Sequence, residues 1–253
     1  MIWPMRPALV LLHGFTNTGA SWSGVVDELG ERYRPLAPDI RGHGAAGDLR
    51  PVSLDAVIDD VTTLAPPRFE LAGYSMGGRI ALHVALADQT RVRRLVLIGA
   101  SPGLAEPAER SARRQQDERL ADEVQQLTIE EFAHRWAQTP VLAGQPPEVL
   151  AAVHAQRLLN TPDGLAAALR GLGTGALPSV WERLPELTIP VEMIVGERDQ
   201  KFRVTAEAMA AALPDARIHT VAGAGHAVHL EDPVAVAEII IRTSSRDRRP
   251  DPE

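Results

Sequence analysis

Apolar runs of four to seven residues alternate with stretches of helical periodicity through the first hundred residues, and again after residue 190. The order reads strand 8–12, helix 20–29, strand 34–37, helix 53–64, strand 69–73, helix 78–87 and strand 93–98. It resumes as strand 190–195, helix 203–212, strand 216–221 and helix 233–241. Strands alternating with helices predict an α/β fold, a mostly parallel sheet covered by helices on both faces. The stretch between Gly99 and Leu187 departs from this pattern. Its Glu, Gln, Arg and Ala favour helix, breaks fall at Pro140, Pro146-Pro147, Pro162 and Pro178, and no strand signal occurs. A strandless stretch of that length is too long for one loop. Residues 100–187 are therefore expected to form a helical lid inserted in a discontinuous core of residues 1–99 and 188–242, with 243–253 a flexible tail.

Composition narrows the partners. A chain of 253 residues with 45% hydrophobic content is long enough for an ordinary α/β domain. A net charge of −7 without a basic stripe argues against nucleic acid. No apolar run approaches the ~20 residues that span a bilayer, and Met1-Ile2-Trp3-Pro4 opens no signal peptide, so no membrane partner and a cytoplasmic location are expected. The absence of cysteine excludes disulfides, thiolate metal sites and a cysteine nucleophile. Oligomeric state stays open between monomer and weak dimer.

Chemistry enters at Gly73-Tyr74-Ser75-Met76-Gly77, set between the strand signal and the helix signal. Strand, G-x-S-x-G and helix make the nucleophile elbow of the α/β-hydrolase fold, in which a strained turn lifts the serine off the sheet and small residues let strand and helix pass closely. That fold requires an acid and then a histidine later in the chain, each after a strand. Gly196-Glu197-Arg198-Asp199 and Gly223-Ala224-Gly225-His226 meet both demands. The order Ser75, Asp199, His226 matches the hydrolase fold and neither chymotrypsin nor subtilisin. Taken singly, Asp199 also reads as a turn aspartate and His226 as a loop histidine, each the lesser reading. Asp39 and Asp232 compete for the acid but do not follow strands in the right place. Oxyanion donors are expected from the backbone N–H groups of Met76 and of Phe15, in the His13-Gly14-Phe15-Thr16 loop after the first strand. Asp39-Ile40-Arg41-Gly42-His43-Gly44 reads as a structural loop. With only about seven residues before the first strand, the two antiparallel edge strands of larger hydrolases are expected to be missing, which places the lid between the sixth and seventh core strands. Arg79 lies four residues after Ser75, one helical turn on, and reads either as a cation beside the serine or as a surface arginine. His226 and His229 lack a third ligand at metal spacing, and no Gly-x-Gly-x-x-Gly or phosphate loop occurs, so no metal and no cofactor are expected.

Gly73-Tyr74-Ser75-Met76-Gly77-Gly78-Arg79, Gly196-Glu197-Arg198-Asp199-Gln200-Lys201-Phe202 and Ala224-Gly225-His226-Ala227-Val228-His229-Leu230-Glu231-Asp232-Pro233 resemble the 2-succinyl-6-hydroxy-2,4-cyclohexadiene-1-carboxylate synthase family of menaquinone biosynthesis. The resemblance runs from about residue 8 to 241. It implies a lyase that eliminates pyruvate from 2-succinyl-5-enolpyruvyl-6-hydroxy-3-cyclohexene-1-carboxylate, with Ser75 as general base. It also implies substrate contacts from Arg79, from Arg113 in Ser111-Ala112-Arg113-Arg114-Gln115-Gln116-Asp117, from Arg157 in Ala155-Gln156-Arg157-Leu158-Leu159-Asn160, and from Trp136 and Tyr74. The bland readings are solvated helix charges for Arg113 and Arg157, and packing for Trp136 and Tyr74. Ala137 departs from the pattern, since the family often carries tyrosine there. A small tricarboxylate suits the arginines, because bidentate guanidinium groups reverse the field of an acidic chain locally. A serine carboxylesterase or C–C bond hydrolase of the same fold is the alternative.

Overall fold

The apolar runs become β1 (Ala8–Leu12), β2 (Arg34–Leu36), β3 (Phe69–Tyr74), β4 (Val92–Ile98), β5 (Val191–Gly196) and β6 (Ala216–Val221). In the computed structural model, which describes residues 6–139, 142 and 145–244, they form one sheet in the order β2-β1-β3-β4-β5-β6. Every neighbouring pair is parallel. β1, β3 and β5 are buried along their whole length, whereas the edge strands β2 and β6 are partly exposed. The chain moves from β1 to one side for β2 and returns past β1 for β3. Such a reversal opens a crevice at the carboxyl ends of the two central strands, where ligands bind in open α/β sheets.

Successive side chains of a strand point to opposite faces. Val10 and Leu12 accordingly join the layer under α2 (Leu54–Leu64), α3 (Met76–Ala87) and α8 (Gln200–Ala212), while Leu9 and Leu11 join the layer under α1 (Ser23–Leu29) and α10 (Pro233–Ser244). A short helix α9 (Val228–Glu231) precedes α10. Because both faces are apolar and covered, a one-residue slip of β1 would exchange every side chain between layers of different shape, and packing fixes the register.

Between β4 and β5 lie α4 (Pro107–Val124), α5 (Ile129–Trp136), α6 (Pro147–Arg157), α7 (Pro162–Leu172) and a 3-10 segment, Trp181–Glu186, with no strand among the described residues. Counting the two edge strands that the described residues lack, this is the insertion point expected from sequence. Pro147 and Pro162, which read as breaks in the sequence, occupy the first turns of α6 and α7, where a missing N–H costs nothing. Thr128 and Glu131 form a reciprocal capping box at the start of α5. The segment has its own small core of Ala121, Val124, Phe132, Leu165, Ala166 and Leu169.

Several boundaries differ from the sequence reading, most by one residue, and three of the larger differences concern the site or the tail. α3 starts at Met76 rather than 78, and α8 at Gln200 rather than 203. α10 runs through Ser244, where a tail was expected from 243, because Thr243 is buried and its hydroxyl donates to the Ile239 carbonyl at 2.8 Å. The remainder of that tail, 245–253, lies outside the described residues.

Candidate active site

β3 ends at Tyr74 and α3 begins at Met76, which leaves Ser75 alone to make the turn. It does so at φ 51° and ψ −109°, a conformation that costs a non-glycine residue about 1–3 kcal/mol. The flanking glycines are steric necessities. A Cβ on Gly73 would lie 2.4 Å from the Gly77 carbonyl oxygen, and one on Gly77 would lie 2.2 Å from that of Leu12.

The loops after β5 and β6 bring the acid and the imidazole to the serine. Asp199 caps α8, accepting the Phe202 N–H at 3.3 Å through Oδ1, and its Oδ2 lies 2.6 Å from His226 Nδ1. His226 Nε2 lies 3.2 Å from Ser75 Oγ. With the carboxylate on Nδ1, the ring carries its proton there and presents the Nε2 lone pair to the hydroxyl. Asp199 and His226 are both buried. The two rival acids serve backbone: Asp39 accepts from Gly19 and Ala45 N–H, both at 2.7 Å, and Asp232 from Ala235 N–H at 2.9 Å.

Met76 is the first residue of α3, so its N–H has no acceptor within the helix. Phe15 follows β1 and faces the same space, and Gly14 beside it has no room for a side chain, since a Cβ would stand 2.7 Å from the Tyr74 ring. Thr16 adopts φ 68°, a rare conformation for a β-branched residue. Its carbonyl accepts Asn160 Nδ2–H at 3.0 Å, and Asn160 Oδ1 accepts the Gly44 N–H at 3.1 Å. Asn160 thus ties the end of α6 to the loop that carries Phe15, a link no local sequence signal reveals. His13 is uncharged by necessity. Its Nε2 accepts the Ile40 N–H at 2.9 Å while Nδ1 faces the Gly14 carbonyl, and burial lowers its pKa to about 4.

Ser75, His226, Phe15, Met76, Arg79, Arg113 and Trp136 share one cavity of about 340 Å³, roofed by α4, α5 and α7. All seven are candidate site residues in the sequence. Lys201, Phe202 and Trp181, which carry no expected role there, also line the cavity; the Phe202 ring centroid lies 4.5 Å from that of His226. Lys201 and Phe202 stand inside the Gly196–Phe202 string, so the signal was present. They reach the cavity because α8 starts at Gln200.

Tyr74 and Arg157 are placed differently from expectation. They line an adjoining void of about 20 Å³, which Phe15 and Trp136 divide from the main cavity. Trp136 packs edge to face on Phe15 at 5.2 Å and stacks on Phe132 at 5.7 Å, closing the wall. Trp136 is therefore both packing and lining. The Tyr74 ring lies 5.2 Å from His226 and 4.2 Å from His229, and its phenol is pushed up by burial and then by the charges of Asp199 and Glu231.

The cations divide into two kinds. Arg113 is partly exposed and bonded to Asp117 at 2.7 Å. Arg79 is only 7% exposed and Arg157 only 1%, and among the described residues neither forms an ion pair with a carboxylate. Nε of Arg79 and both Nε and Nη1 of Arg157 lack any partner. Burial lowers both guanidinium groups to about 10, for Arg79 with help from the Arg113 charge. Such an arrangement is suited to receive anions. Among the described residues no cluster of three or more metal-ligating side chains exists, and no helix is long and apolar enough to cross a membrane.

The chain is similar in sequence and fold to known proteins. Residues 9–239 match the model of the alpha/beta hydrolase family. A Bacillus subtilis protein, provisionally named a 2-succinyl-6-hydroxy-2,4-cyclohexadiene-1-carboxylate synthase, is 37% identical over 245 residues, covering 92% of this chain and 88% of its own. The enzyme of that name from Salmonella schwarzengrund is 34% identical over 243 residues, covering 93% and 92%. The solved structure of MenH from S. aureus superposes with a TM-score of 0.92 at 28% identity, covering 98% of this chain and 97% of that one.

Proposed function

The chain belongs to the alpha/beta hydrolase family and, within it, to the 2-succinyl-6-hydroxy-2,4-cyclohexadiene-1-carboxylate synthases; we propose that it eliminates pyruvate from 2-succinyl-5-enolpyruvyl-6-hydroxy-3-cyclohexene-1-carboxylate in menaquinone biosynthesis, using Ser75, His226 and Asp199. The observation that carries the reading is one juxtaposition. A hydrogen-bonded chain ending at the Ser75 hydroxyl opens on a cavity lined by a buried guanidinium, Arg79, that has no carboxylate partner among the described residues.

In this reading the substrate's carboxylates supply the missing counter-charge. Arg79 and Arg113 hold two of them in the cavity, with Lys201 adding positive field. Arg157 and Tyr74 take part from the adjoining void when Trp136 yields, and residues 100–187 act as a lid that carries Arg113, Trp136 and Arg157 over the sheet. His226 draws the Ser75 proton onto Nε2, Asp199 stabilises the resulting imidazolium, and the serine oxygen takes a ring C–H proton. The electron pair of that C–H bond, at ring carbon 2, forms the C2=C3 double bond, the existing C3=C4 pair shifts to C4=C5, the C5–O bond to the enolpyruvyl group breaks, and the group leaves as the enolate of pyruvate. The N–H groups of Phe15 and Met76 hold negative charge developing on a substrate oxygen. No cofactor and no covalent acyl-enzyme are needed, and the setting proposed is cytoplasmic.

A serine esterase would use the same three groups, so the cations must separate the readings. The test is pyruvate release by the purified protein from the enolpyruvyl substrate, beside hydrolysis of a neutral p-nitrophenyl ester. Rapid release that falls in Arg79→Ala, with ester turnover unchanged in that variant, is the expected result. Efficient ester hydrolysis with no release of pyruvate would assign the chain to the esterases instead.

A further inference from the structure

The place of His226 depends on an irregular loop, since residues 222–227 belong to no helix or strand. Glu197 accepts the Gly223 N–H at 2.8 Å, and the stretch around His226 itself is held by one carboxylate. Glu231, the last residue of α9, accepts the Gly225 N–H at 2.8 Å through Oε2 and the Ala227 N–H at 3.2 Å through Oε1. Its two oxygens thus grip the backbone immediately before and immediately after the histidine. Arg198 Nη2 donates to the same Oε2 at 3.0 Å, and the Arg198 N–H donates to the Ala224 carbonyl at 2.9 Å. Arg198 directly precedes Asp199, so the loop bearing the acid and the loop bearing the imidazole are joined through Glu231 as well as through the Asp199–His226 bond. The Glu231 side chain is 4% exposed, and a Cβ on Gly225 would already stand 3.0 Å from its carboxylate.

We propose that Glu231 is a positioning residue for His226, setting the imidazole through the backbone on both sides of it and locking the histidine loop to the acid loop through Arg198. The inference rests on the Ser75–His226–Asp199 reading. Only a carboxylate suits this task. It accepts on both oxygens, whereas an amide would turn its own N–H₂ toward one of the two backbone donors. Glu231 also stands as a second negative charge near the ring that must become an imidazolium. The other titratable or charged groups around His226 are Asp199 from the β5 loop, Tyr74 from β3, His229 from α9 and, lining the same cavity, Lys201 from α8, Arg79 from α3 and Arg113 from α4.

The test uses Glu231→Gln and Arg198→Met in the full chain, with kcat, KM, the pH profile of kcat/KM and Tm measured for each. A displacement of a reacting group by about 1 Å costs on the order of 100-fold. Glu231→Gln is accordingly expected to lower kcat about 10- to 100-fold with KM nearly unchanged. The two variants should move the acid limb of the profile in opposite directions: to lower pH when the negative charge is removed, and to higher pH when the arginine charge is removed. A residue that merely stabilised the fold would lower Tm and leave the limb in place. Wild-type kcat with an unmoved limb in Glu231→Gln overturns the proposal. If that variant does not fold, an unmoved limb in Arg198→Met overturns it. Ser75→Ala in the same assay keeps the two readings apart. Turnover by that variant defeats the triad reading itself, whereas an inactive Ser75→Ala beside a normal Glu231→Gln defeats only the role of Glu231.

Discussion

β3 and β4 carry a buried arginine at one end of the sheet and lead to another at the opposite end, and the two are treated in contrary ways. At the start of the strands, Glu70 pairs in register with Arg94, which is 1% exposed. The Arg94 guanidinium meets Glu70 through Nε at 3.2 Å and again through Nη2, and donates to the Tyr33 hydroxyl at 3.1 Å, to the Ile240 carbonyl at 3.0 Å and to Thr243. Ser244 donates to the second Glu70 oxygen at 2.9 Å. Past the other end of β3, Arg79 is nearly as buried, yet its Nε is unpartnered and it forms no ion pair among the described residues. A buried charge is costly unless paired. The chain supplies the partners where the charge serves only to hold α10 to the sheet. It withholds them where the cavity opens beside Ser75, which is the expected arrangement if a ligand brings the anion.

The contrast can be broken most severely at the reacting groups. Ser75→Ala, His226→Ala and Asp199→Asn should each lower kcat for pyruvate release by roughly 10³- to 10⁶-fold, and double variants should lose little more than single ones. Calorimetry should show these proteins folded. Near-wild-type turnover by Ser75→Ala removes the mechanism.

Arg94→Met gives the next largest effect, this time on stability. It leaves Glu70 and Tyr33 buried without their main partner, at a cost of about 3–5 kcal/mol in urea denaturation. Its kcat/KM, corrected for folded protein, should match wild type. Arg79→Met should do the reverse. Losing a charge-assisted contact to a substrate carboxylate costs about 2–5 kcal/mol, or roughly 30- to several thousand-fold in kcat/KM. Stability should hold or rise, because an uncompensated buried charge has been replaced by an apolar chain. If both variants lose stability alike, the distinction between the two ends is void.

What could be read from the chain follows how local each signal is. The strands and the elbow depend on contiguous apolar runs and on glycines two residues either side of Ser75, and both are visible in sequence. So is Arg79, because a spacing of four fixes its side of a helix. Gly77 looks like a breaker in the sequence, which puts the expected start of α3 two residues late. Within that first turn Gly77 and Gly78 are required, since the Leu12 carbonyl and Ala100 leave no space for a Cβ. Arg157 reads as a cavity residue until Trp136 is found against Phe15, a contact between residues 121 positions apart that no spacing rule contains. The Arg94–Glu70 pair and the Asn160 link to Thr16 were invisible for the same reason: each joins elements distant in the chain.

The smallest effect concerns pH, and it also distinguishes the two ends. His13, His43 and His229 are fully buried near the carboxyl ends of the strands, and burial lowers them to about 4, about 3 and about 3 respectively. His229 lies between the Trp22 and Tyr74 rings, at 4.7 and 4.2 Å, and neither of its nitrogens has a partner. In the unfolded chain each titrates near 6.5. Between about pH 6.5 and about pH 4 the unfolded state therefore binds protons that the folded state refuses, and the unfolding free energy rises with pH. Stability is complete above about 6.5 and is lost as pH falls, at up to about 1.4 kcal/mol per pH unit for each histidine. Carboxylates titrate in part of the same window, so the informative quantity is a difference between proteins. His229→Phe keeps a flat ring between Trp22 and Tyr74 and removes one proton site, so its Tm should fall less steeply than wild type from pH 6.5 to 4.5, the two curves converging or crossing toward acid. Arg94→Met should lower Tm throughout that range, because the contacts it removes to Tyr33, Ile240 and Thr243 do not depend on a proton. A constant offset for His229→Phe would mean that His229 takes up its proton in the folded protein as readily as in the unfolded chain.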